Sequence, residues 1–248
     1  LPVYDVHLDD DGVPLVVLKR IAGVDWGEIM ADPEASRAHF GAGELLDHNL
    51  AVFLQVCQVV SFAHSRGIIH RDLKPDNMRV GEFGEVYLLD WGIAVSTEDD
   101  GSGRFPLAKD AHELAGTPSY MAPEMLGAAA DAIGHATDVY LLGAILYEIL
   151  TGRPPHTGSS VVAIVTSVVR SKPDFSDFGD LPGDLVAIVR RAMAADPQQR
   201  YASAEELREA LVQHLKHRGS RETAARAHDR LDELQALLAG DDHDTHQR

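Results

Sequence analysis

Two short apolar runs of the β type open the chain, VYDVHL at residues 3–8 and VPLVVL at residues 13–18. The turn between them, DDDG, places acidic residues before a glycine, which is typical of a tight hairpin connection. We therefore predict an antiparallel pair of strands at the start of the chain. The segment GVDWGEIMAD, which begins at Gly23, predicts a short helix after this hairpin.

Helical periodicity dominates the rest of the chain. A long helix is predicted over residues 44–67, with a stop at Gly67 and apolar positions at Leu46, Leu50, Phe53, Cys57 and Val60. The stretch MRVGEFGEVYLLDWG predicts a second hairpin that turns at Gly84. Further helices are predicted at about 138–151, 158–170, 184–195, 203–216 and 219–239.

Two segments lack such periodicity. Residues 93–124 are interrupted by several glycines and by Pro118, and a loop of this length inside a compact domain is usually functional. The last nine residues, GDDHDTHQR, predict a solvated, disordered tail rather than a metal site. The polar helix at 219–239 carries a leucine stripe on one face, so it is either an interaction helix or a helix packed on its own domain.

Composition narrows the function classes. The 248 residues carry a net charge of −17, with a pI of about 5.0, and a surface this acidic repels nucleic acid and anionic membranes. The single cysteine, Cys57, excludes an internal disulfide and lies in an apolar helical pattern, which favours a buried, inert thiol. The most apolar segment, residues 139–150, contains Glu148 and is too short to span a bilayer. We expect a cytoplasmic protein without membrane insertion.

Three motifs carry the chemistry: HRDLKPDN at 70–77, DWG at 90–92 and GTPSYMAPE at 116–124. In this order they resemble the eukaryotic-type serine/threonine protein kinases, in the bacterial branch that often has DWG in place of DFG. The resemblance covers about residues 1–215 and implies transfer of the ATP γ-phosphate to Ser or Thr hydroxyls of a protein, with Mg²⁺. It also implies an α+β fold, mainly a helical C-lobe.

The residues of these motifs suit that chemistry on physical grounds. Phosphoryl transfer needs an oriented nucleophile and neutralised phosphate charge. Asp72 supplies a carboxylate for a substrate hydroxyl, and Lys74 supplies a nearby cation. Asn77 and Asp90 offer the oxygen ligands that Mg²⁺ prefers. A surface loop with ordinary charges explains each residue alone, but not the four together in this order.

The resemblance implies further roles. Arg71 would clamp a phosphate on the activation loop, for which Thr97 and Ser102 are the candidate acceptors. Thr117 would contact Asp72 and Lys74 and favour Ser/Thr substrates. Structural roles are implied for three further groups: an ion pair of Glu124 with Arg200, packing of His70 on Trp91, and support of the catalytic loop by Asp138.

In residues 16–20, VVLKR, the apolar run is followed by Lys19, like the phosphate-binding lysine of a kinase, but too few residues follow it for the remaining elements. The spacing favours a hinge instead. Leu18 would be the gatekeeper, Lys19 would offer its carbonyl to adenine, and Ile21 its N–H. Arg79 departs from the family, because this position is apolar and packs under adenine in related kinases. The arginine would place a charge against the base or stack on it.

On this interpretation residues 1–23 are a remnant N-lobe hairpin with the hinge, residues 24–216 a C-lobe, and residues 217–248 a helical extension with an acidic, His-containing tail. A glycine-rich loop and a phosphate-binding lysine are not found in the sequence, so we expect the hairpin edge to pair with a missing N-lobe segment or to self-associate. Because the chain starts with Leu1, it is expected to continue upstream.

Three functions remain open. The first is a serine/threonine kinase, supported by the retained Asp72, Lys74, Asn77 and Asp90. The second is a catalytically weak or inactive C-lobe that acts as a protein-binding scaffold, supported by Arg79 and the absent N-lobe. The third is a small-molecule phosphotransferase of the same superfamily, which Lys74 and the GTPSYMAPE loop argue against.

Overall fold

The structure is a computed structural model that describes residues 3–32, 42–99, 101, 103–127, 133–179 and 181–244. The chain divides into two compact units, Leu1–Arg208 and Glu209–Arg248. The described strands are β1 (Val3–Leu8), β2 (Pro14–Leu18), β3 (Val24–Asp25), β4 (Ile68–Ile69), β5 (Met78–Val80), β6 (Val86–Leu88) and β7 (Val95–Ser96). The described helices are α1 (Trp26–Ala31), α2 (Ala42–His64), α3 (His135–Thr151), α4 (Val161–Arg170), α5 (Gly183–Ala192) and α6 (Ala204–Asp244).

The first unit is centred on α3. Eleven consecutive residues of this helix, Thr137 to Tyr147, are buried, and α2 and α5 pack against it. Gly143 permits a close approach of α5, because a Cβ at this position would lie 2.7 Å from the Cβ of Ala192. The helix ends at Thr151 and is capped by Gly152, whose φ of +73° is a backbone conformation that glycine adopts with little strain.

Helix α2 lies beside α3 and contributes the other half of this core. Its residues Leu50, Phe53, Val56 and Cys57 are at most 1% exposed. By length and composition, residues Leu45–His64 would also be able to cross a membrane, but the core helix of a soluble protein passes the same test. The short α1 is fixed by Trp26, which is fully buried and donates from Nε1 to Asn49 Oδ1 at 2.8 Å.

The N-terminal hairpin is confirmed, with β1 and β2 antiparallel and Val6 opposite Val16. Apolar side chains on both of its faces are exposed, among them Val6, 59% exposed, and Leu15, 51% exposed. Successive strand residues point to opposite faces, so exposure of both sets means that neither face is covered.

The second hairpin is also confirmed, with β5 and β6 antiparallel and Gly84 at φ +79° in the turn. The structure adds β3 as a third strand, in which Asp25 pairs with Arg79. The sequence did not predict β3, because a strand of two residues offers no alternation to recognise. Strands β4 and β7 form a separate pair that returns the chain after DWG to the end of α2.

The predicted helices are present within a few residues of their expected ends, with one correction. The predicted break at 217–218 is wrong, because α6 is continuous from Ala204 to Asp244. The only helix breaker there is Gly219, and a single glycine costs a helix only about 1 kcal/mol. The final tail therefore begins inside this helix, and residues 245–248 lie outside the described part of the chain. The predicted domain boundaries at 23 and 216 stay predictions.

Candidate active site

The loop HRDLKPDN connects β4 to β5, and Asp138 of α3 supports it from below. The Asp138 carboxylate is fully buried and accepts the backbone N–H groups of His70 at 2.8 Å and Arg71 at 2.9 Å. His64, at the end of α2, donates from Nε2 to the same carboxylate at 2.9 Å. Burial would raise the pKa of Asp138, but the bond from His64 and the nearby His70 hold it below its usual value.

This support also explains the backbone of Arg71, which has a φ of +70°. A left-handed conformation costs an L residue about 1–2 kcal/mol, so it needs compensating contacts. The bond from Arg71 N to Asp138 supplies one. Asp138 was predicted to support the catalytic loop through its backbone, and these bonds confirm that prediction.

His70 and Trp91 pack edge to face, with ring centroids 4.6 Å apart, as predicted. His70 Nδ1 accepts the N–H of Asp72 at 3.2 Å, and Nε2 donates to the carbonyl of Leu89 at 3.1 Å. Burial lowers the pKa of His70, which agrees with a neutral ring that uses one nitrogen as donor and one as acceptor. His70 therefore links the catalytic loop to the strand that precedes DWG.

Three of the predicted site residues converge around the carboxylate of a fourth, Asp72. Its Oδ1 accepts the N–H and the hydroxyl of Thr117, at 2.9 and 2.8 Å. Its Oδ2 accepts Asn77 Nδ2 at 3.0 Å and lies 3.5 Å from Lys74 Nζ. Lys74 in turn donates to the Thr117 hydroxyl at 2.8 Å. The carboxylate is thus held from three sides, and its side chain stays 14% exposed.

Asp90 lies outside this cluster. Its side chain is exposed, its φ is +55°, and Oδ1 accepts the N–H of Gly92 at 3.3 Å. Asn77 uses its amide nitrogen for both of its bonds to Asp72, which leaves its amide oxygen for a cation. Within the described ranges, no group of three His, Cys, Asp or Glu side chains converges to hold a metal. Asp90 and Asn77 each keep a side-chain oxygen of the kind that Mg²⁺ binds.

Arg71 is only 5% exposed and lines a cavity of about 290 Å³. Its Nη2 donates to the carbonyl of Glu113 at 3.5 Å, while the buried Nε has no partner among the described residues. Burial lowers the pKa of this guanidinium. The described lining of the cavity includes Asp110 and Glu113, and none of its residues carries a hydroxyl.

The structure therefore does not bring Thr97 to Arg71. Thr97 lies next to β7, where its N–H and hydroxyl both donate to the carbonyl of Gly67, at 2.7 and 3.2 Å. Ser102, the other predicted acceptor, lies outside the described residues. The β4–β7 pairing explains this placement of Thr97, because it draws the segment after DWG towards the end of α2.

Glu124 and Arg200 form the predicted ion pair. Arg200 donates from both terminal nitrogens to Glu124, at 2.6 and 2.9 Å, and its side chain is fully buried. This two-bond geometry is the strong form of an arginine–carboxylate contact. The pair fixes the end of the GTPSYMAPE segment to the residues before α6.

A second buried network supports this segment and was not predicted. The N–H of His156 donates to the carbonyl of Ser119, and its ring bonds Tyr140 at 2.9 Å and Ser167 at 3.0 Å. Burial lowers the pKa of His156 to about 4. A lone histidine after two prolines gives no pattern in sequence, so only the folded structure reveals this role.

The predicted hinge residues lie between β2 and β3. Leu18 ends β2, Lys19 has an exposed side chain, and Ile21 is 8% exposed. Arg79 lies against this segment: Nε donates to Asp25 Oδ1 at 2.9 Å, and Nη1 donates to the carbonyl of Ile21 at 3.1 Å. The contact of Asp25 with Arg79 was not predicted from the sequence, since it depends on the β3–β5 pairing.

Comparison with known proteins agrees with this geometry. The family described as protein kinase domain matches residues 44–214. The serine/threonine-protein kinase PknD of Chlamydia pneumoniae is 35% identical over 243 residues, which cover 87% of this chain and 24% of that protein. PknD of Chlamydia abortus is 38% identical over 178 residues, which cover 67% of this chain and 19% of that protein.

PknB of Mycobacterium tuberculosis is 35% identical over 202 residues, which cover 81% of this chain and 30% of that protein. The chain thus spans less than a third of the length of these three relatives. The family match includes the catalytic loop, DWG and the ion pair of Glu124 with Arg200, and the α+β architecture is that of a kinase dominated by its helical lobe. This chain belongs to the protein kinase family, in its bacterial serine/threonine branch.

Proposed function

We propose that this chain transfers the γ-phosphate of ATP to serine or threonine hydroxyls of a protein substrate, as a cytoplasmic enzyme. The observation that carries this proposal is the closed set of bonds among Asp72, Lys74, Asn77 and Thr117. The partly exposed Asp72 carboxylate and the Lys74 ammonium group both bond the Thr117 hydroxyl, an arrangement that a loop without a catalytic role does not require.

In the proposed reaction, Asp72 orients the substrate hydroxyl and accepts its proton as the oxygen bonds to the γ-phosphorus and ADP leaves. The bonds from Thr117 and Asn77 fix the direction of the carboxylate, so little reorganisation is needed during the reaction. Lys74 lies 3.5 Å from Asp72 and places a positive charge beside the transferred group. Thr117 joins these two residues, which supports a role in placing the acceptor.

Asn77 and Asp90 are the residues that would hold Mg²⁺. When bound, the ion neutralises phosphate charge, and the exposure of Asp90 suits a carboxylate that must reach it. The carbonyl of Lys19 and the N–H of Ile21 would bind the adenine, with Leu18 beside it. Arg79 and Asp25 lie at the same end of the site.

Transfer of labelled phosphate from ATP to a library of Ser-, Thr- and Tyr-containing peptides tests this function. We expect incorporation into Ser or Thr peptides, and Asp72→Asn should lower the rate by about 10²–10⁴-fold, the usual contribution of a general base. Asp177→Asn is the matched control, since this carboxylate is 71% exposed and pairs only with Arg153 in its described ion pair. Equal rates for the two variants would refute the assigned role of Asp72.

A second candidate, a protein-binding scaffold, is favoured by the apolar side chains exposed on both faces of the β1–β2 hairpin. The hairpin would pair with a further kinase segment or with a second copy of the chain. Light scattering at increasing concentration tests the second possibility. A strictly monomeric chain that also transfers phosphate would exclude self-association as its function.

A further inference from the structure

Arg79 makes three contacts to the segment that precedes α1. Its Nε and Nη2 both lie 2.9 Å from Asp25 Oδ1, and its Nη1 donates to the carbonyl of Ile21 at 3.1 Å. We call Arg79, Asp25 and the Ile21 carbonyl the Arg79 latch. It joins the segment between β2 and β3 to the strand that leaves the catalytic loop.

The sheet places both side chains of the latch on one face. Asp25 and Arg79 are cross-strand partners in β3 and β5, so their side chains lie on one face of the sheet. The flanking Met78 and Val80 are buried on the other face. Arg79 follows Asn77 by two residues, where the chain passes from a short 3-10 helix, Pro75–Asn77, into β5.

A nucleotide whose phosphates reach Asn77 and Asp90 and whose base reaches Ile21 would meet the Arg79 side chain, because its Nη1 is bonded to the Ile21 carbonyl. The guanidinium also takes up Asp25, the acidic side chain at this end of the site and a natural acceptor for ribose hydroxyls. Both side chains of the latch are about one third exposed, at 31% and 33%. An ion pair this exposed is weak enough to open when a ligand enters.

Resting on the proposed function, we propose that the Arg79 latch gates the nucleotide site and that nucleotide binding requires it to open. Opening separates Arg79 from Asp25 and from the Ile21 carbonyl, and the loss of these contacts is subtracted from the binding free energy. The latch acts on the base and ribose end and leaves the phosphate end unchanged. If the base instead stacked on Arg79, the change in affinity would have the opposite sign, because removing Arg79 would then weaken nucleotide binding.

The test is calorimetric titration of Mg·ATP into the full chain and into Arg79→Leu. We expect the variant to bind about tenfold more tightly, the scale set by an exposed ion pair together with a charged hydrogen bond. Mg·tripolyphosphate, which has phosphates but no base or ribose, should show no gain in affinity. Arg153→Leu is the matched control, because it also removes an arginine from an exposed pair with an aspartate, Asp177.

Equal or weaker Mg·ATP binding by Arg79→Leu overturns the latch, as does an equal gain for Mg·tripolyphosphate. If the leucine variant does not fold, judged by circular dichroism, Arg79→Met retains the unbranched stem and gives the same comparison. Phosphate transfer by the wild-type chain separates the two proposals. With transfer and no gain in affinity, only the latch is wrong, and with neither transfer nor binding in any variant, both are wrong.

Discussion

The two ends of the site are built differently. At the acceptor end, Asp72, Lys74 and Thr117 are already bonded to one another, over a carboxylate, Asp138, that is 0% exposed. At the nucleotide end, Asp90 is exposed, Arg79 is held by Asp25, and the neighbouring hairpin has no covered face. The residues of the proposed acceptor end are therefore joined by bonds among themselves, whereas the proposed nucleotide end has to rearrange if the latch gates it.

The difference follows from what lies beneath each end. The acceptor end rests on α3 and α2, where water is excluded and a hydrogen bond to a charged group is strong. The nucleotide end rests on strands of two to six residues, and a two-stranded hairpin is marginally stable in water. The end of the site that rests on packed helices is thus the one whose side chains are fixed by hydrogen bonds.

The largest effect is expected for Asp138→Asn, because it replaces one of the two acceptor oxygens by a donor that faces the N–H of either His70 or Arg71. Breaking a buried, charged contact of this kind typically costs about 3–5 kcal/mol. Urea unfolding at neutral pH measures the loss, with Asp177→Asn as the exposed control. A loss below about 1 kcal/mol, the usual value for an exposed pair, would contradict the claim that the buried Asp138 carboxylate holds the loop of the acceptor end in place.

His156 makes the contribution of a buried group measurable through the pH dependence of the free energy of unfolding. Its pKa is lowered from 6.5 in the unfolded chain to about 4 in the fold, so its contribution is complete above pH 6.5 and is lost as the pH falls towards 4. The shift corresponds to stability on the order of 3 kcal/mol. His156→Phe should remove this part of the pH dependence between pH 7 and 4.5, as measured by urea unfolding.

His7→Gln is measured in parallel, because it removes a histidine whose side chain is 58% exposed in the hairpin and so shows what the loss of an exposed histidine does to the curve. If His156→Phe and the wild type lose stability in parallel as the pH falls, the fold does not lower the pKa of His156 and the buried network is wrongly described.

The smallest effect is expected in the hairpin. Val6→Thr should change the free energy of unfolding by less than about 0.5 kcal/mol, as is usual for an exposed position. Val95→Thr is the matched strand variant at a site that is 0% exposed, and burying its hydroxyl should cost about 1–3 kcal/mol. A large loss for Val6→Thr would show that the hairpin is covered in solution, as pairing with a second copy requires.

The sequence was most informative where neighbours along the chain are also neighbours in the site. HRDLKPDN indicated Asp72, Lys74 and Asn77 together, because one short loop holds all three. The hairpins and the helices of the first unit were predictable from periodicity and glycine positions. The interpretation of Lys19 as a hinge residue stays a prediction, and its exposed side chain is consistent with it.

Residues whose roles depend on long-range pairing could not be found in this way. Asp25 gains its role from Arg79, 54 residues away, through a strand pair too short to leave a pattern. His156 acts through Tyr140 and Ser167 on two other elements. Thr97 was named as a phosphate acceptor from the resemblance of its segment to an activation loop, whereas the β4–β7 pairing decides where it lies.

The thiol of Cys57 can be used to measure how often the helical core opens. It is the only thiol in the chain, it is 0% exposed on α2, and burial raises its pKa far above the usual range. A thiol-specific reagent reacts with the thiolate, so labelling must wait until α2 separates from its neighbours. The labelling rate of the unmodified chain therefore reports how often its core opens, and ligands that steady the core will slow that rate.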